Sequence, residues 1–140
     1  MGPFATNHIA LNCRNLAAQE AFYSKHLGFQ RSRTFNAGQS DEYIMLKLGS
    51  VRLELFPPTS GAPAGQARGG EQPVGFKHLA FDVPKLELAI AALRADGIEV
   101  DPIIDMGHVV PGFRIVFFRD PEGNILELME GYQDEEQGAR

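Results

Sequence analysis

Among its 140 residues the chain has a single cysteine, Cys13. It cannot close an internal disulfide, which points to a reducing, cytoplasmic setting. No apolar run approaches the roughly 18 residues that a membrane-spanning helix needs. The opening Met1-Gly2-Pro3-Phe4-Ala5 lacks the basic start and apolar core of a secretory leader. Basic residues are in the minority: 13 Lys and Arg stand against 18 Asp and Glu, for a net charge of −5. They are also scattered, and Arg31 with Arg33 is the nearest thing to a cluster. A nucleic-acid partner needs a basic stripe to meet its phosphates, so none is expected. What remains is an ordinary globular composition, 44% hydrophobic and 22% charged, in a chain long enough for one compact domain.

What the sequence does have is a repeat. His8-Ile9-Ala10-Leu11-Asn12 returns as His78-Leu79-Ala80-Phe81-Asp82, and Leu53-Glu54-Leu55 returns as Leu126-Glu127-Leu128. Offsets of 70 and 73 positions leave the internal spacing nearly unchanged. A period of that size is too long for a solenoid unit and suits a duplicated small domain.

Within the first copy, residues 6–13 alternate, with Ile9, Leu11 and Cys13 on one face and His8, Ala10 and Asn12 on the other, which reads as a strand. Asn15 is placed to cap a helix running to His26, with Leu16, Tyr23 and Leu27 on its buried side and Gly28 where it stops. Strand-like runs follow at 29–37, 41–48 and 51–56, the last two joined by Gly49-Ser50, a link suited to a type II′ hairpin turn. Residues 57–75 are rich in proline and glycine and read as a solvated linker. The second copy repeats the order: a strand over 76–83, a helix opened by Pro84 with Leu86, Ala89, Ile90 and Leu93 buried and Gly97 at its end, then strands near 98–104, 112–119 and 124–130. The final pair is joined by the turn sequence Asp120-Pro121-Glu122-Gly123-Asn124. The expected architecture is therefore α+β: a first βαβββ module over 1–56, the linker over 57–75, a second βαβββ module over 76–132 and a polar tail over 133–140.

The repeat preserves one histidine and one glutamate per copy: His8 with Glu54, and His78 with Glu127. Singly these are unremarkable. A lone histidine opening a strand is usually a hydrogen-bonded structural residue, and a lone Leu-Glu-Leu is usually a solvated strand. Both glutamates, however, lie mid-strand on the face away from the strongest apolar row. Drift after duplication should not spare two polar residues in each copy unless something needs them. Two imidazoles and two carboxylates form a donor set for one divalent ion, with Ni, Co, Zn, Mn or Fe all suited. Positions left open on such an ion could polarise a substrate oxygen or activate water. His26 and His108 read as residues of a helix end and a loop, and Cys13 as core. Phe56, Phe118 and Met129 read as sharing faces with the candidate site residues, and Arg114 as a candidate to project towards them.

Several phrases together resemble the vicinal oxygen chelate superfamily of glyoxalase I, bleomycin-resistance proteins, fosfomycin-resistance transferases, methylmalonyl-CoA epimerases and extradiol dioxygenases. They are Asn7-His8-Ile9-Ala10, Phe22-Tyr23-Ser24-Lys25-His26-Leu27-Gly28-Phe29, Lys77-His78-Leu79-Ala80-Phe81-Asp82-Val83, and Phe118 through Leu128 with its Asp120-Pro121-Glu122-Gly123-Asn124 turn. The resemblance implies that each module is an incomplete barrel around a metal site, with His8, Glu54, His78 and Glu127 as the metal ligands of a glyoxalase I-like member. It implies a lyase or isomerase in which Glu127 or Glu54 removes a proton next to a carbonyl of a small-molecule substrate, and a homodimer. The sequence departs from bacterial glyoxalase I at two positions associated with glutathione: Asn12 stands where an arginine is typical, and Pro58 where an asparagine is typical. Arg31, Arg33 and Arg114 are the alternative anchors for an anionic group. Asn12, Arg114 and Phe118 are the candidate substrate contacts. An Fe(II) ring-cleaving dioxygenase and a non-catalytic, resistance-type binding protein remain the alternative expectations.

Overall fold

The computed structural model describes residues 3, 5–57 and 75–135. The chain divides into two compact units, Met1–Gly65 and Gln66–Arg140. The linker expected over 57–75 lies, apart from its two end residues, outside the described residues, as do Pro58 and the tail from 136 onward.

The first module runs β1 (Ile9–Asn12), α1 (Leu16–Leu27), β2 (Gln30–Phe35), β3 (Tyr43–Leu48) and β4 (Val51–Phe56). Its sheet has the order β1-β4-β3-β2, with β1 parallel to β4 and the other pairs antiparallel. The helix begins where the Asn15 side chain accepts the Ala18 N–H at 3.0 Å, because the first turn of a helix has no internal partner for its donors. It stops at Gly28, whose φ of 78° is a conformation glycine adopts without strain. Gly49, at φ 58°, does the same for the turn that sets Leu48 opposite Val51. Its sign suits a primed hairpin turn.

Alternation along β3 and β4 sends Ile44, Leu46, Leu53 and Leu55 to one face, where all are fully buried. Helix α1 packs on β4, and Tyr23 meets Phe29 edge-on with centroids 5.5 Å apart. The buried side of α1 is Gln19, Phe22 and Tyr23; Leu16 and Leu27, expected to be buried with Tyr23, occupy the helix ends and are only half-buried. Leu53→Ala should cost about 2–5 kcal/mol, as core leucine truncations do. Urea unfolding of the two forms would measure it.

The second module repeats the plan: β5 (Leu79–Asp82), α2 (Leu86–Ala95), β6 (Ile104–Asp105), β7 (Arg114–Arg119) and β8 (Ile125–Glu130), in the sheet order β5-β8-β7-β6. Two expectations need correction. The strand anticipated over 98–104 is reduced to Ile104–Asp105 and a single bridge from Val100 to Phe118. Asp101 N–H still bonds Phe117 O at 2.9 Å, but Pro102 has no N–H to continue the ladder. Pro84 also precedes the helix rather than opening its first turn. The chain is still tied to β8 at Val83, whose N–H reaches Met129 O at 2.9 Å, so α2 begins only at Leu86.

The cap of α2 comes from far away in sequence. Lys85, at the N-cap, makes no side-chain cap, and the Leu86 N–H instead donates to Glu130 Oε1 at 2.8 Å. The other oxygen of Glu130 accepts from Arg114 Nε at 3.0 Å, and Arg114 also grips Glu87 through both terminal nitrogens, at 2.6 and 2.9 Å. The hydrogen bonds from Arg114 hold the Glu87 carboxyl down at about 2, from an ordinary 4.5. Glu130 is lowered first by the Leu86 N–H and then by Arg114. A carboxyl depressed in the folded state contributes stability above its unfolded value and loses it as pH falls through the folded one. Stability is therefore expected to decline between about pH 4.5 and 2. Arg114→Gln should flatten that decline, but only modestly, because Glu87 is 62% exposed and solvent screens the pair. Unfolding followed by circular dichroism across that range checks it.

Candidate metal and substrate site

Parallel pairing of the first and last strands of each module brings the repeated residues together. Ala10 lies beside Glu54 in the β1–β4 register, and Ala80 beside Glu127 in the β5–β8 register. His8 and His78 stand just before these strands. His8 Nε2 lies 3.3 Å from Glu54 Oε1, and His78 Nε2 lies 2.7 Å from Glu127 Oε2. On the far side of its ring, His8 Nδ1 is 2.8 Å from Asn7 Oδ1. Both glutamates point to the face of their sheet opposite its leucines. Glu127 is only 6% exposed, and a carboxylate so placed is costly unless something compensates its charge.

These separations can be tested against a metal. Two donors with bonds of about 2.1 Å to one ion, near right angles, stand roughly 3 Å apart. Each module offers such a nitrogen–oxygen pair. Within either module no third His, Cys, Asp or Glu joins the pair among the described residues.

The neighbours of the two pairs differ. In the first module Phe35, Tyr43 and Phe56 stack in sequence, with centroids 4.5 and 4.6 Å apart. Asn12 pairs with Phe56 in the strand register, so this candidate substrate contact lies on the Glu54 face. In the second module Phe117 is the direct cross-strand partner of Glu127, and its ring stands edge-on to His78 at 5.6 Å.

Two of the proposed substrate contacts are placed elsewhere. Phe118 pairs with Leu126 and is fully buried on the opposite face from Glu127. Arg114 is on the Phe118 side, engaged with Glu87 and Glu130. The cause is the turn. Asp120 accepts the N–H groups of Glu122 and Asn124 at 2.9 and 3.0 Å, fixing a register in which Phe117 faces Glu127. A shift of one residue would exchange every side chain between faces.

A β-bulge decides between the other two arginines. Pairing shifts between Arg31 and Arg33, so Arg31 lies opposite Leu46 and Arg33 opposite Met45. Residues two apart in a regular strand share a face, and the extra Ser32 sends these to opposite ones. Arg31 turns to the helix side, where its Nε donates to Glu20 Oε2 at 2.6 Å. Arg33 is left on the Glu54 face, a placement that alternation alone would not have separated from that of Arg31.

Comparisons with known proteins agree with this architecture. The family described as the Glyoxalase/Bleomycin resistance protein/Dioxygenase superfamily matches residues 5–128. The Bacillus subtilis (strain 168) protein YwkD, itself uncharacterized, is 36% identical over 126 residues, covering 89% of this chain and 94% of that one. The crystal structure of a glyoxalase family protein from Enterococcus faecalis superimposes with a TM-score of 0.74 at 35% identity, over 90% of this chain and 97% of that one. That of lactoylglutathione lyase from Agrobacterium tumefaciens does so with a TM-score of 0.65 at 27% identity, over 94% and 96%.

Proposed function

The chain belongs to the Glyoxalase/Bleomycin resistance protein/Dioxygenase superfamily, and from that premise we propose that it is a divalent-metal-dependent, glyoxalase I-like lyase or isomerase. The observation that carries this reading is the pair of His–Glu contacts at 3.3 and 2.7 Å, one in each module. In the proposal His8, Glu54, His78 and Glu127 hold one ion together, either within a chain or between the subunits of a homodimer. The donor set of two imidazoles and two carboxylates suits Ni, Co, Zn, Mn or Fe.

When bound, the ion supplies positive charge that stabilises negative charge developing on adjacent substrate oxygens. Glu127 takes a proton from the carbon next to the substrate carbonyl and returns it to the neighbouring carbon. Glu127 is the more buried of the two carboxylates and stands beside Phe117 and His78. Glu54 is the second candidate base; its side chain is 14% exposed against 8% for Glu127. The proposed location is cytoplasmic, a reading that rests on the lone Cys13.

The test is metal content together with solvent deuterium incorporation into α-hydroxycarbonyl and 2-oxoaldehyde compounds. About one ion per four-ligand site and deuterium uptake support the proposal. Oxygen consumption with catechols on Fe(II) would replace it with ring cleavage, and ligand retention without turnover would replace it with sequestration. Asn12, and Pro58 in the sequence, stand where glutathione-site residues are expected, so turnover of the methylglyoxal–glutathione hemithioacetal should be weak or absent. A kcat/KM within the ordinary range of about 10⁴–10⁸ M⁻¹s⁻¹ would instead make glutathione the cosubstrate. Light scattering should give about twice the 15.4 kDa chain mass.

A further inference from the structure

The helix-free face of the first module carries a concentration of positive charge that the proposed chemistry does not use. A cavity of about 310 Å³ opens there, lined by Asn7, Arg33, Phe35, Met45, Lys47 and Arg52 among others. Lys47 and Arg52 are direct cross-strand partners, and like charges in that arrangement repel and destabilise a sheet. Arg33 joins them because of the Ser32 bulge, and its guanidinium lies 5.9 Å from the centre of the Phe35 ring. None of the three has a carboxylate within ion-pair distance among the described residues. In a chain of net charge −5, three such cations around one cavity make a local positive field that favours entry of an anion. Guanidinium and ammonium groups are the donors that oxyanions bind most strongly.

The cavity adjoins the candidate site. Arg52 and Glu54 are alternate residues of β4 on one face, with Cα atoms roughly 7 Å apart. Asn7, at the cavity wall, also contacts His8 Nδ1. Glu54 shares the face, so an anion would sit towards the Lys47–Arg52 end and leave the far end of a small molecule beside Glu54.

We propose that this cavity binds the carboxylate or phosphoryl group of the substrate, which makes the substrate a small oxyanion-bearing carbonyl compound. The substrate assignment rests on the function proposed above; anion binding by the cavity does not. The experiment is calorimetric titration of the full chain with inorganic phosphate and, separately, with malonate. Binding of either anion supports the proposal, and the tighter of the two identifies the group. K47Q/R52Q should weaken binding at least tenfold. In phosphate-free buffer it should melt no lower than the original chain, since the opposed charges are gone. Arg33→Gln, at an exposed side chain, should weaken binding several-fold at unchanged melting temperature. Equal anion binding by the original chain and both variants overturns the proposal. His78→Ala, titrated well below its melting temperature, must retain the binding: loss from the folded variant would put the anion at the metal and overturn the cavity assignment while leaving the metal reading standing. Absence of deuterium exchange with anion binding intact would overturn the lyase and keep the cavity.

Discussion

Replacing His78 with alanine is expected to strip the chain of most of the divalent metal proposed to bind it. Substituting a residue that merely supports a ligand typically lowers metal affinity about 10–100-fold, so removing a ligand should cost at least the upper end of that range. The geometry gives a direction as well as a size. The His78–Glu127 pair is the closer, at 2.7 Å, and Glu127 is the more buried carboxylate. His78→Ala leaves that carboxylate without its imidazole and without the ion, so the fold should also weaken. Metal content by mass spectrometry after dialysis, with melting temperature alongside, reads both effects. Metal retained at the original stoichiometry and affinity would refute the four-ligand site. If the site is shared between subunits, mixing His8→Ala and His78→Ala chains under exchange conditions should restore part of the binding.

Glu127→Gln should cost about 10²–10⁴ in turnover, the usual contribution of a positioned general base. The amide keeps an oxygen donor and the shape of the side chain but cannot accept the proton. Because the lost interaction belongs to the transition state, kcat and kcat/KM should fall together, with KM little changed. Solvent deuterium incorporation into the substrate is the direct measurement. Exchange at the original rate in Glu127→Gln would remove Glu127 from the proton transfer, and the same substitution at Glu54 would then identify the alternative base.

Much of the candidate site's geometry was legible because its signals are local or repeated. The His and Glu of each copy announce themselves by their spacing, and Leu53-Glu54-Leu55 declares its faces by period-two alternation. Asn15, Gly28 and Gly49 mark their turns by chemistry that needs no distant partner. What failed depended on registers set by turns and bulges. Residues 114–119 read plainly as a strand, but Ile115 to Phe118 are all apolar, so which alternate set faces Glu127 depends on how Asp120 closes the turn, and Phe117 rather than Phe118 holds the place. Arg31 and Arg33 would share a face in a regular strand, and only the shifted pairing beside Ser32 parts them. The cap of α2 by Glu130 was invisible for another reason: its partners are separated by 44 positions, and no local pattern announces such a contact. The strand expected over 98–104 lost its middle to Pro102, a break that the sequence displayed and apolar content outweighed.

The parallel contact between β1 and β4, and its counterpart between β5 and β8, imposes an order of events on a growing chain. The histidine of each module emerges from the ribosome with the first strand, and the glutamate only with the last. Nothing short of a finished module offers both donors side by side, and closing so long a loop is among the slower steps of folding. An ion that requires the pair can therefore reward only completed modules, because a ligand bound solely by the native state stabilises that state alone. If the proposed ion binds, metal supply would act as a check on completion: nascent or truncated modules would remain unloaded, and loaded ones would be held shut at the pairing of their first and last strands.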